Sequence, residues 1–123
     1  MVSELDVLVG SEVSGVAFVR DYVELHFDGP ILRVFSGPIV EVGAERCAFP
    51  EAASLGLLLS LIGRRVTIAR ETDDELQVAF ERDAELRVPL ISGDSGEEAA
   101  HLVPFLNGRL DVANMSIWES QAP

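Results

Sequence analysis

Acid-base, nucleophilic or metal chemistry would fall to His26, His101, Cys47 and the carboxylates that recur at turns. Two histidines 75 positions apart offer no metal-ligand spacing of the His-x-x-x-His kind. His26 falls on a strand pattern beside Tyr22 and Glu24 and reads as a surface imidazole rather than a catalytic base. Cys47 lacks any local context that would pair it with a histidine, so it reads as a structural thiol. The glycines stand singly at turns, and the chain has no lysine to complete a phosphate-cradling loop. Asp28, Asp73, Asp74, Asp83, Asp94, Glu97 and Glu98 suit turn chemistry without the alternating ligand pattern of a calcium loop. No catalytic, cofactor or metal site is assigned, and a non-enzymatic role is expected.

Period-2 alternation defines the elements that carry these groups. Tyr22 to Phe27 sends Val23, Leu25 and Phe27 to one face and Tyr22, Glu24 and His26 to the other. Asp28-Gly29-Pro30 turns the chain into a second strand, Ile31 to Phe35, and Val13 to Val19 precedes both, which makes a meander. The same order returns 53 residues later in Val66 to Glu71, Glu75 to Phe80 and Glu85 to Leu90. Leu8 falls on Leu61, Gly10 on Gly63, Val13 on Val66, Val23 on Leu76, Leu25 on Val78 and Phe27 on Phe80. One inserted residue then brings Leu32-Arg33-Val34 onto Leu86-Arg87-Val88. Two copies are too few for a solenoid, so both meanders are expected to share one core in a single domain spanning residues 1–123.

Between the copies, Pro38 to Val42 reads as a short strand, and Phe49-Pro50-Glu51 opens a helix running to about residue 62, with proline in its first turn. Leu55, Leu58, Leu59 and Ile62 form a stripe that Leu57 and Leu61 widen until almost no polar face remains, so the helix is expected to be covered on most sides. Gly63 is placed to end it, with Arg64 and Arg65 near its negative pole. After a polar loop at 92–96, a short helix is expected from Glu97 to Leu102, capped by Asp94 or Ser95. A hairpin then follows, from His101 to Leu106 and Arg109 to Val112 about Asn107-Gly108, and Met115 to Trp118 closes the sheet. The expected fold class is α+β, mostly antiparallel, with two repeated three-stranded meanders (about 13–35 and 66–90) around one apolar helix (about 50–62) plus a C-terminal hairpin.

A formal charge of -12, with all nine basic residues arginine, disfavours nucleic acid and anionic lipid and suits a basic protein partner. The longest apolar run, Leu55 to Ile62, is far short of the roughly 20 residues that cross a bilayer. The first residues carry Glu4 and Asp6 rather than the positive charge of a secretory signal, and with one cysteine the expected setting is the cytoplasm.

The pattern Leu8-Val9-Gly10, Val13, Asp21-Tyr22, Leu25, Phe27, Leu61-Ile62-Gly63, Val66, Asp74, Leu76, Phe80, Leu86 and Ile117-Trp118 resembles a family of short uncharacterised proteins common in actinobacteria. The likeness runs to Leu90. The acidic-aromatic and glycine-rich segments of that family's C-terminal third are missing between Ser92 and Asn114. The resemblance implies a β-rich fold and a bacterial cytosolic setting, and it carries no active site to transfer.

The polar faces of the central hairpins, with Tyr22, Glu24 and His26 in one and Asp73, Asp74, Glu75 and Gln77 in the other, form the candidate partner surface. The leading expectation is a protein-binding module facing a basic protein, in its sharpest form an immunity-type toxin neutraliser. One rival is a small-ligand binder or enzyme with its pocket between the two meanders. Another is a self-associating structural protein, a homodimer through Leu55, Leu58, Leu59 and Ile62.

Overall fold

A computed structural model describes residues 3–91 and 97–121. The first meander is β1 (Gly15–Val19), β2 (Tyr22–His26) and β3 (Ile31–Val34), followed by the hairpin β4 (Ile39–Val42) and β5 (Glu45–Ala48). After α1 (Ala52–Leu59) comes the second meander, β6 (Val66–Glu71), β7 (Glu75–Phe80) and β8 (Ala84–Pro89). The chain ends with β9 (Glu98–Val103), the small hairpin β10 (Phe105–Leu106) and β11 (Arg109–Leu110), and β12 (Ser116–Glu119). The fold is α+β and mostly antiparallel, with two five-stranded sheets ordered β1-β2-β3-β9-β12 and β5-β4-β8-β7-β6.

The two meanders have the same register. Val16 opposes Leu25 as Ala69 opposes Val78, and Glu24 opposes Arg33 as Gln77 opposes Arg87. The strands that follow each meander are exchanged: β4 leaves the first copy to pair with β8, and β9 leaves the second to pair with β3. Leu32 opposite Leu102 therefore matches Leu86 opposite Val40. A short ladder joins the copies at their starts. Gly10 N–H donates to Val66 O as Gly63 N–H donates to Val13 O, and Val13 N–H donates to Arg64 O as Val66 N–H donates to Ser11 O. Each bond in these pairs becomes the other when the copies are interchanged, and the Glu12–Arg65 bridge maps onto itself, so a pseudo-two-fold axis passes through it.

One core fills the space between the sheets. Leu25, Leu32 and Val34 from the first and Leu76, Leu86 and Val88 from the second are fully buried within it. Burial of such side chains is the main favourable contribution to folding, about 1.5–3 kcal/mol for each. A 3₁₀ helix at Glu4–Leu8 buries Leu5 and Leu8, matched across the pseudo-dyad by Leu58 and Leu61.

Four expectations need correction. The segment from residue 98 is a strand, because Glu98–Val103 finds unsatisfied partners on β3 and β12; Asp94 and Ser95, expected as its cap, lie outside the described residues. The C-terminal hairpin shrinks accordingly to β10 and β11, although Asn107 and Gly108 both have the positive φ of a type I′ turn, 53° and 79°. The helix is shorter than expected at both ends: it spans Ala52–Leu59 with Glu51 as N-cap and Pro50 before it, and Ser60, not Gly63, caps its end. Nor is the helix covered on most sides: Ser54 and Leu58, with Leu61 just beyond its end, are buried, while Leu55, Leu59 and Ile62 are 39%, 47% and 44% exposed. Among the described residues no helix is long and apolar enough to cross a membrane.

Candidate functional site

Strand β2 turns Val23 and Leu25 into the core, which sends Tyr22, Glu24 and His26 to the outer face of the first sheet. Across that face the register places Ala17, Glu24, Arg33, His101 and Ile117 in one row over five strands. Glu24 joins two neighbours. Arg33 Nε donates to its Oε2 at 3.0 Å, and His26 Nε2 lies 3.2 Å from its Oε1. With only 15% of its side chain exposed, Glu24 holds both groups in a partly dehydrated setting where charge-assisted bonds are strengthened. Beside this row Phe35 packs against Tyr22 at 4.9 Å and presents its edge relation to His101 at 4.8 Å.

His101 is the buried member of the face, 8% exposed. Its Nε2 meets the Glu98 carboxylate, which leaves Nδ1 as the ring's second polar atom. That Nδ1 is buried and has no hydrogen-bond partner among the described residues.

Asp73, Asp74, Glu75 and Gln77 lie elsewhere. Asp73 and Asp74 occupy the β6–β7 turn, where Thr72 Oγ1 accepts from the backbone N–H of Asp74 at 3.2 Å and of Glu75 at 3.1 Å. Gln77 Nε2 donates to Glu75 at 2.7 Å, and Arg87 lies 3.4 Å from Glu85 and 3.9 Å from Glu75. These carboxylates, Glu85 foremost, hold the Arg87 guanidinium charged beyond its ordinary range. The expected surface is thus two surfaces: Tyr22, Glu24 and His26 are on the first sheet, the others on the second, and no hydrogen bond or ion pair among the described residues joins them. The volume between the meanders, where a ligand pocket was one expectation, is occupied by the core. An open depression of about 620 Å³ lies instead at the protein's edge, lined by Ser3, Glu4, Asp6, Arg70, Glu71 and Asp73 among others.

Cys47 sits on β5 in the second sheet, apart from both histidines, which are on the first. Its Sγ–H donates to Glu51 Oε2 at 3.3 Å. Partial burial, that hydrogen bond and the carboxylate's charge all push the thiol pKa above its ordinary value. Among the described residues no group of three or more His, Cys, Asp or Glu side chains is arranged to hold a metal ion.

Sequence reasoning missed Arg33, Phe35, Glu98 and His101 as neighbours of Tyr22, Glu24 and His26. For Arg33 a signal existed in the repeated Leu-Arg-Val triplet, which places the arginine outward in both copies. His101 carried none, since its position depends on a strand exchange. Comparison with protein-family models, with curated proteins and with solved structures finds no match for this chain.

Proposed function

We propose that this protein is a non-enzymatic binding module that presents the outer face of its first sheet to a basic protein, acting in the cytosol, with toxin neutralisation as the sharpest form of that role. The observation that carries the reading is an asymmetry between equivalent faces. Tyr22, Glu24, His26 and His101 gather on the first sheet, where the register-equivalent positions of the second hold Glu75, Gln77, Ala79 and Ile39. The fold therefore does not require the richer set.

Binding favours side chains whose rotamers are fixed beforehand, because less conformational entropy remains to be lost. Glu24 fixes Arg33 and His26 in this way, and Tyr22 is an amphipathic anchor of the kind enriched at interfaces. Asp21, Glu98 and Glu119 at the margins of the sheet are exposed, and with the net charge of -12 they favour encounter with a positively charged surface. A sole cysteine suits a reducing compartment.

The test is titration of the full chain against basic proteins encoded beside its gene. Tyr22→Ala and His26→Ala are expected to weaken a stoichiometric complex by about tenfold or more, while Glu75→Ala and Gln77→Ala leave it within about twofold. Binding should also weaken as salt rises. Absence of any stoichiometric basic partner, or equal sensitivity of both faces, overturns the proposal.

A further inference from the structure

The two five-stranded sheets end in four edge strands, β1 and β12 in the first and β5 and β6 in the second. An edge presents backbone N–H and C=O groups that recruit another strand unless charges, bulges or a covering segment prevent it. β5 carries Glu45 and Arg46, β6 carries Arg70 and Glu71 with a register shift between Val66 and Ile68, and β12 carries Glu119 with a shift beside it. β1 has none of these guards. Gly15–Val19 contains neither charge nor proline, pairs with β2 without a shift, and makes no backbone hydrogen bond beyond that ladder among the described residues. Phe18 and Val19 are 38% and 36% exposed. α1 touches β1 but exchanges no backbone hydrogen bond with it.

The pseudo-two-fold shows that the fold does not require so bare an edge. Ala17 opposes Glu24 as Arg70 opposes Gln77, so the second copy holds an arginine at the register position where β1 holds its central alanine. Glu71 likewise stands where β1 has Phe18. The same strand is thus guarded in one copy and open in the other.

We infer that β1 pairs antiparallel with β1 of a second copy, about a two-fold axis through Ala17, joining the two first sheets into one of ten strands. Backbone hydrogen bonds make a strand the fitting occupant of a strand edge, and the residues at its ends make that strand another β1. Pairing Ala17 with its own copy sets Val16 against Phe18 and Gly15 against Val19, with the smallest side chain on the axis. One step further, Arg20 of each copy falls opposite Ser14 of the other. Ser14 continues β1 beside β2, its N–H donating to His26 O at 2.7 Å, and its Oγ accepts from the backbone N–H of Asp28 at 3.1 Å. Arg20 and Asp28 are both exposed, and neither side chain has a hydrogen bond or ion pair among the described residues. The isologous pairing therefore brings Arg20 of each copy to Asp28 of the other, twice by symmetry, and opposite charges across strands are favourable. Two chains of charge -12 repel over the rest of their surfaces, so the dimer is expected at micromolar rather than nanomolar concentration.

Sedimentation of the full chain from about 1 to about 500 µM tests this. The wild type is expected to pass from monomer to dimer across that range. Arg20→Glu and Asp28→Arg are each expected to raise the dissociation constant by about tenfold or more, and the double variant, which restores opposite charges in exchanged places, should return it to within about threefold of wild type. Ala17→Arg copies the residue that β6 carries at the equivalent position, so it should abolish the dimer while leaving the thermal midpoint of the dilute monomer unchanged or higher. Arg70→Glu, on the guarded edge, should leave the dimer intact. A wild type that stays monomeric throughout overturns the inference and leaves the β1 edge to a strand of another protein. A dimer that tolerates Ala17→Arg, or a double variant no tighter than the two single ones, overturns it as well.

Discussion

At position 101 the first sheet holds an imidazole beside Arg33, where the second sheet at the equivalent position holds Ile39 beside Arg87. A buried polar atom without a partner costs free energy, and replacing it with an apolar group of suitable shape removes that cost. His101→Ile is therefore expected to leave stability to urea within about 1 kcal/mol of wild type or to raise it, while weakening partner binding at the same face. A loss of more than about 2 kcal/mol would instead make the contact with Glu98 a structural one. Cys47 allows a second test, because only the thiolate reacts with alkylating agents. Its raised pKa predicts slow alkylation at neutral pH and a rate that climbs at higher pH than for an ordinary cysteine. Glu51→Gln removes the carboxylate's charge, one cause of that rise, so the alkylation profile should move to lower pH.

Elements related by the pseudo-dyad should respond alike. Leu32 on β3 and Leu86 on β8 are both fully buried at matching register positions. Leu32→Ala and Leu86→Ala are each expected to cost about 2–5 kcal/mol in equilibrium unfolding, since each leaves a cavity that strands on both sides prevent from collapsing. Gly10 and Gly63 form a second matched pair, with φ of 89° and 91° at the point where the copies exchange hydrogen bonds. A Cβ would meet no neighbour at either position, so alanine there is penalised by backbone conformation alone, by about 1–2 kcal/mol at each site. Unequal costs within either pair, beyond about 1 kcal/mol, would show that the two copies have diverged in their structural roles.

For the molecule as a whole, strand exchange ties the halves together. Each sheet holds three strands from one half and two from the other, so neither can be completed unless both halves fold. A single cooperative transition is expected. Fluorescence of Trp118, buried on β12, and far-UV circular dichroism should give superimposable urea curves. Leu86→Ala, although in the other sheet from Trp118, should shift both curves equally. Two separated transitions would contradict an interlocked core.

The sequence by itself determined the alternating strands, their turns and the duplication, because each rests on neighbours along the chain: Val23, Leu25 and Phe27 share a face whatever pairs with them. It also placed Tyr22, Glu24 and His26 together, since one strand carries all three. Tertiary structure alone decided that β4 joins β8 and β9 joins β3, a choice among edges with the same alternation and hydrogen-bonding capacity. That choice made Glu98–Val103 a strand, brought His101 to Arg33, and divided the expected partner surface between two sheets. The helix shows the same limit. Its leucines are written in the sequence, but which of them face the core depends on how far the surrounding strands reach, and they reach Leu58 and Leu61 while leaving Leu55 and Leu59 in water.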